Sequence, residues 1–137
     1  MPSVLIKNMI EKYNYPVLDE ENIDEFIKSQ DECVLFFAND PTRYPESDDV
    51  AMILPELVKE YGNRFSAAFV EQKSERSLQR RFGFARWPTL VFLKKGQKLG
   101  HISKVQDWND YILKINDLLT SEPKPVFDIP LTLKPNN

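Results

Sequence analysis

Apolar residues recur along this 137-residue chain with two different periods. In residues 48–61, Val50, Ile53, Leu54, Leu57, Val58 and Tyr61 follow a helical spacing behind Asp48 and Asp49, which predicts an amphipathic helix. Pro55 falls inside that pattern, where it removes one backbone hydrogen bond and is expected to bend the helix; Gly62 ends it. Residues 33–38 form a continuous apolar run bounded by polar residues, which predicts a strand buried on both faces. Residues 65–71, 89–94 and 99–103 read as further strands, with Gly96 turning between the last two. Helical patterns also cover 3–13, 20–30 and 74–82. A closing helix over 106–120 carries Trp108, Tyr111, Ile112, Ile115, Leu118 and Leu119. Residues 16–18 are a brief extended piece. Residues 39–47, with Pro41 and Pro45, are a loop.

This order describes a βαβ crossover half, then a β-hairpin and a last helix. Packed together, these elements give an α/β fold with a central mixed β-sheet flanked by helices on both faces. The length suits one domain. We place it at residues 1–121, including the N-terminal helix. Residues 122–137 contain Pro123, Pro125, Pro130 and Pro135 and read as a Pro-rich, flexible tail.

Composition narrows the chemistry more than the architecture. Cys33 is the sole cysteine and His101 the sole histidine, so neither a CxxC pair nor a zinc site of the usual Cys/His type can be assembled, and no cofactor is expected. Cys33 begins a core strand and reads as a structural thiol; His101 reads as a strand residue. No apolar stretch reaches the ~18 residues that span a bilayer, and the first residues lack an export signal, so the expected location is cytoplasmic. Charge is unevenly distributed. Residues 17–61 hold 13 acids against three bases, and residues 62–104 hold ten bases against Glu71 and Glu75. Those blocks read either as solvated faces or as an acidic surface for a basic partner. No aromatic-basic motif accompanies the basic block, so nucleic acid is not an expected partner.

Several segments resemble a known fold. Leu35-Phe36-Phe37-Ala38 looks like the strand that enters the thioredoxin active site. Residues 52–57 are similar to the proline-bearing helix that follows it, and Trp87-Pro88-Thr89-Leu90 matches the cis-proline loop. The resemblance implies a thioredoxin-like fold with Pro88 in the cis form. The chemistry does not carry over: a reactive thiolate and a resolving thiol are both required. Residues 40–50, where they would stand, contain no sulfur, and Leu35 occupies the position of the buried carboxylate. Asp40-Pro41-x-Arg43-x-Pro45-Glu46, with Asp48, Met52-Ile53 and Glu56-Leu57, resembles the HyaE/HupG/HoxO family of hydrogenase maturation proteins. Phe82-Gly83-x-x-Arg86-x-Pro88 resembles that family's second block. This resemblance implies a non-catalytic chaperone of uptake [NiFe]-hydrogenase that binds the small-subunit precursor and its twin-arginine signal peptide before export. Other hydrogenase assembly proteins are further candidate partners.

The residues themselves are compatible with that expectation. Glu46, Asp48, Asp49 and Glu56 could complement a cationic segment, while Arg86, Trp87 and Pro88 could present a backbone edge to an extended peptide. Arg43 and Arg86 could instead pair with the acidic loop. Two other functions fit the same residues: a general protein-binding scaffold, and a monothiol oxidoreductase using Cys33.

Overall fold

A computed structural model describes residues 2–122; the proposed tail from Pro123 onward lies outside the described residues. Its elements run α1 (Val4–Tyr13), β1 (Val17–Leu18), α2 (Ile23–Ser29), β2 (Glu32–Phe37), α3 (Glu46–Glu60), β3 (Ser66–Val70), a 3-10 turn (Gln72–Ser74), α4 (Glu75–Phe82), β4 (Thr89–Lys94), β5 (Gln97–Ser103) and α5 (Trp108–Leu119). The five strands form one sheet in the order β1-β3-β2-β4-β5. β1, β3 and β2 are parallel, and the β4–β5 hairpin joins antiparallel to β2. No helix among the described residues is long and apolar enough to cross a membrane.

The two-residue period of a strand divides the core into two layers. Val34 and Phe36 of β2 point to the side covered by α1, α3 and α5, where they join Ile6, Leu54 and Ile115. Cys33, Leu35 and Phe37 point to the other side, with Ile23 and Ile27 of α2 and Leu78 and Phe82 of α4. β2 is central and covered twice, which is why its sequence is apolar without alternation.

Local chemistry sets the helix ends. The Ser3 hydroxyl caps α1 by accepting from the Ile6 N–H at 3.1 Å. It also donates to Asp48 Oδ1, tying α1 to α3. Asn14 closes α1 in the left-handed region (φ 56°), which Asn tolerates better than most residues. α2 is shorter than the 20–30 pattern predicts, because Asp19 Oδ1 accepts from the N–H groups of Glu21 and Asn22 and holds these residues in a turn. α3 starts at Glu46, earlier than its apolar period indicates, and runs unbroken past Pro55, which is buried on the side towards α1.

Ser3→Ala removes both the cap and the link to α3. It is expected to lower stability by about 1–2 kcal/mol, the upper part of the range for a lost N-cap, measured by urea denaturation. An unchanged midpoint would mean that α1 is held by packing alone.

Candidate functional site

The loop after β2 and the loop before β4 meet at the end of the sheet where a thioredoxin would carry its thiols. The Trp87–Pro88 bond there is cis, in agreement with the resemblance. Pro88 is buried, and its carbonyl accepts from the Lys104 N–H at 2.7 Å. Trp87 is half-buried, with its ring between Tyr44 (centroids 5.8 Å apart) and Phe84 (5.7 Å, edge-on). Among the described residues, neither the backbone N–H nor the C=O of Trp87 has a hydrogen-bond partner. An extended peptide could pair with this free edge.

The indole of Trp87 is fixed by a residue that the sequence pattern did not single out. Its Nε1 donates to Glu75 Oε1 at 2.7 Å, and Glu75 Oε2 accepts from the Asn39 backbone N–H at 2.8 Å. One carboxyl group therefore clamps the two loops together. Glu75 is only 2% exposed. Burial pushes its carboxyl up to about 8, although both hydrogen bonds favour the charged form and pull the other way. The signal was present in the sequence: Glu75, Leu78 and Phe82 stand at i, i+3 and i+7, which puts the acid on the buried face of α4.

The expected acidic cluster divides between structural and exposed roles. Glu46 Oε1 accepts from the Val105 N–H at 2.8 Å, and Oε2 pairs with Lys104 Nζ at 3.0 Å. The backbone bond to Val105 is the main reason its carboxyl lies below the ordinary range, with Lys104 adding to the effect. Asp48 is held by Ser3. Asp49 and Glu56 are exposed on α3, with no partner among the described residues. Arg43 and Arg86 form no ion pair with the acidic loop; Arg43 lies over the Tyr44 ring, 5.6 Å from its centroid. A hollow of about 320 Å³ opens here, lined by Tyr44, Ala85, Arg86, Trp87 and Lys104. Its rim is basic.

The two charge blocks do not become two opposed faces. Of the four ion pairs among the described residues, Arg64–Glu32, Arg81–Asp24 and Lys104–Glu46 each join the basic block to the acidic one. Cys33 is 1% exposed, and burial pushes its thiol up to about 12, far from the range of a reactive thiolate. His101 is exposed on β5, its Nδ1 2.8 Å from Lys98 Nζ.

Residues 5–111 match the family model described as "Hydrogenase-1 expression protein HyaE". The chain belongs to the HyaE family. It is 42% identical over 127 residues to the hydrogenase expression/formation protein HoxO of Azotobacter vinelandii, covering 93% of this chain and 85% of that protein. HupG of Rhizobium leguminosarum bv. viciae is 39% identical over 126 residues, covering 89% and 85%. A crystal structure of hupG from Rhodopseudomonas palustris CGA009 superposes with a TM-score of 0.55 at 41% identity, covering 76% of this chain and 94% of that one. Plasmodium falciparum thioredoxin reaches a TM-score of 0.61 at 14% identity, covering 77% and 99%, a likeness of fold alone. The HyaE-family chain thus has a thioredoxin-like fold, with a buried carboxyl group, an indole and a cis-proline at the site where thioredoxin carries its chemistry.

Proposed function

We propose that this chain is a non-redox chaperone in uptake [NiFe]-hydrogenase maturation, acting in the cytoplasm. In this reading it holds the small-subunit precursor through the twin-arginine signal peptide before export. The observation that carries the reading is the unpaired backbone edge at Trp87, held in place by Glu75 and Pro88, in a member of a hydrogenase expression family. An extended segment gains main-chain hydrogen bonds at such an edge without any covalent step. The deeply buried thiol of Cys33 supports a function without thiol chemistry.

The acids contribute unequally. Glu46 and Asp48 hold the loop in shape, whereas Asp49 and Glu56 are free to meet the cationic part of the signal. Charge reversal at Glu46 or Asp48 would disturb the fold as well as the surface, so the discriminating variant is Asp49→Lys/Glu56→Lys.

The wild-type chain is expected to bind the precursor at least tenfold more tightly than the mature small subunit lacking its signal, by calorimetry or biolayer interferometry. The double variant is expected to lose about tenfold of that affinity and most of its salt dependence. Equal binding of precursor and mature forms would favour the general scaffold instead.

A further inference from the structure

Of the seven large apolar side chains exposed among the described residues, four lie on α1 and α3, and the others, Val17, Trp108 and Leu113, lie on β1 and α5. Val4, Leu5 and Tyr13 of α1 are 74%, 40% and 39% exposed, and Met52 of α3 is 59% exposed. The two helices enclose a groove of about 360 Å³ whose apolar lining includes Leu5, Met9, Met52 and Pro55. Two of the three methionines of the chain meet there. Methionine is unbranched and polarisable, so a floor built from it adapts to apolar side chains of varied shape.

The rim of the groove specifies the charge of its occupant. Asp49, Glu56 and Glu60 are exposed at helical spacing around Met52, so the α3 side presents acids beside the apolar floor. Lys12 stands at the far side, 5.3 Å from the Tyr13 ring centroid. The hollow at Trp87 differs, with Arg86 on its rim and Lys104 there paired with Glu46. The exposed acids of α3 therefore offer a cationic segment more favourable charge than the Trp87 hollow does.

We infer that the groove between α1 and α3 receives the apolar stretch of a bound segment whose preceding basic residues lie against Asp49 and Glu56. This rests on the reading that the chain binds a twin-arginine signal peptide. It places the apolar part of that signal on α1 and α3, and leaves the Trp87 edge to an extended portion without basic side chains. The N-terminal helix is then half of a binding site as well as cover for the sheet.

The test uses the full chain and the purified small-subunit precursor. With methionine methyl groups labelled in ¹³C, the Met52 resonance (assigned through Met52→Leu) is expected to shift on adding precursor and to stay in place on adding the mature subunit. Met52→Glu and Leu5→Glu, both at exposed positions, are expected to weaken precursor binding at least tenfold. Met52→Leu should remain within about twofold of wild type, and so should Val17→Glu, a control at the sheet edge. Melting temperatures close to wild type would show that both glutamate variants fold.

A wild-type chain that does not distinguish precursor from mature subunit overturns the signal-peptide reading and this inference with it. Signal-dependent binding that Met52→Glu and Leu5→Glu leave unchanged overturns this inference alone. A homodimer in sedimentation that dissociates on Met52→Glu assigns the groove to a second copy of the chain, and that outcome also overturns it.

Discussion

Stability of this chain is expected to fall as the pH rises from about 5 to about 8 and then level off, with Glu75→Gln removing most of that dependence. The folded carboxyl titrates at about 8 against an ordinary value of 4.5. Between those values the folded state holds a proton that the unfolded chain has released, so each step up in pH favours unfolding. At ~1.4 kcal/mol per pKa unit, the loss amounts to roughly 3–5 kcal/mol. That is a large share of the ~5–15 kcal/mol that stabilises a typical domain.

Glutamine imitates the neutral acid in shape, but its amide nitrogen only donates, so it keeps one of the two bonds that Glu75 accepts from Trp87 Nε1 and the Asn39 N–H. The variant should therefore be less stable than wild type near pH 5, by about 1–3 kcal/mol for the lost bond, and the gap should close or reverse by pH 9. Urea denaturation of both proteins at pH 5, 7 and 9 reads the difference directly, and contributions from His101 cancel in the comparison. A wild-type curve parallel to that of Glu75→Gln would show that the acid ionises as it does in water. The effect reaches the proposed site, because the group being titrated is the one that anchors the Trp87 indole and the Asn39 backbone.

Leu35→Asp is expected to leave most of the chain unfolded at neutral pH. Leu35 is fully buried in the middle of β2, facing Ala68 and Val91 across the sheet, in the layer that contains Phe37, Leu78 and Phe82. A carboxylate there would lie among apolar side chains, and the effective penalty for an unpaired buried ion is several kcal/mol. Leu35→Asn separates charge from polarity and lost volume. It should be destabilised by about 2–5 kcal/mol, comparable to other disruptive core substitutions, and Leu35→Asp should fall below it at pH 7 and approach it near pH 4. Circular dichroism with denaturant titration at both pH values makes the comparison. Equal stability of the two variants at pH 7 would mean that water reaches this layer. Restoring the acid would restore no redox activity, because the loop that follows contains no thiol.

These expectations concern a scaffold whose elements were largely written in the local pattern. The heptad-like spacing of Val50, Leu54 and Leu57 defined α3, and the unbroken apolar run of β2 already implied helices on both sides of the sheet. Ends were less legible, since side-chain bonds such as those of Asp19 decide them. The Trp87-Pro88 match pointed to the candidate site, and a single cysteine leaves no CxxC pair for disulfide exchange.

Charge was where linear reading failed, because the fold brings distant residues together. Arg43, counted within the acidic stretch, lies over Tyr44, which in turn faces Trp87. Glu75, counted within the basic stretch, is buried under that same indole. Glu46 had the right residue type for a cationic ligand, yet its carboxylate is occupied by the Val105 N–H and Lys104.

The sequence by itself determined the order of elements, the doubly covered sheet and the lack of a thiol pair, because each depends on local periodicity or on a count. Tertiary structure alone decided which acids remain free, that Glu75 clamps two loops, and that apolar side chains of α1 and α3 line one exposed groove. Those features depend on distances between residues far apart in the chain, and on desolvation that no local pattern records.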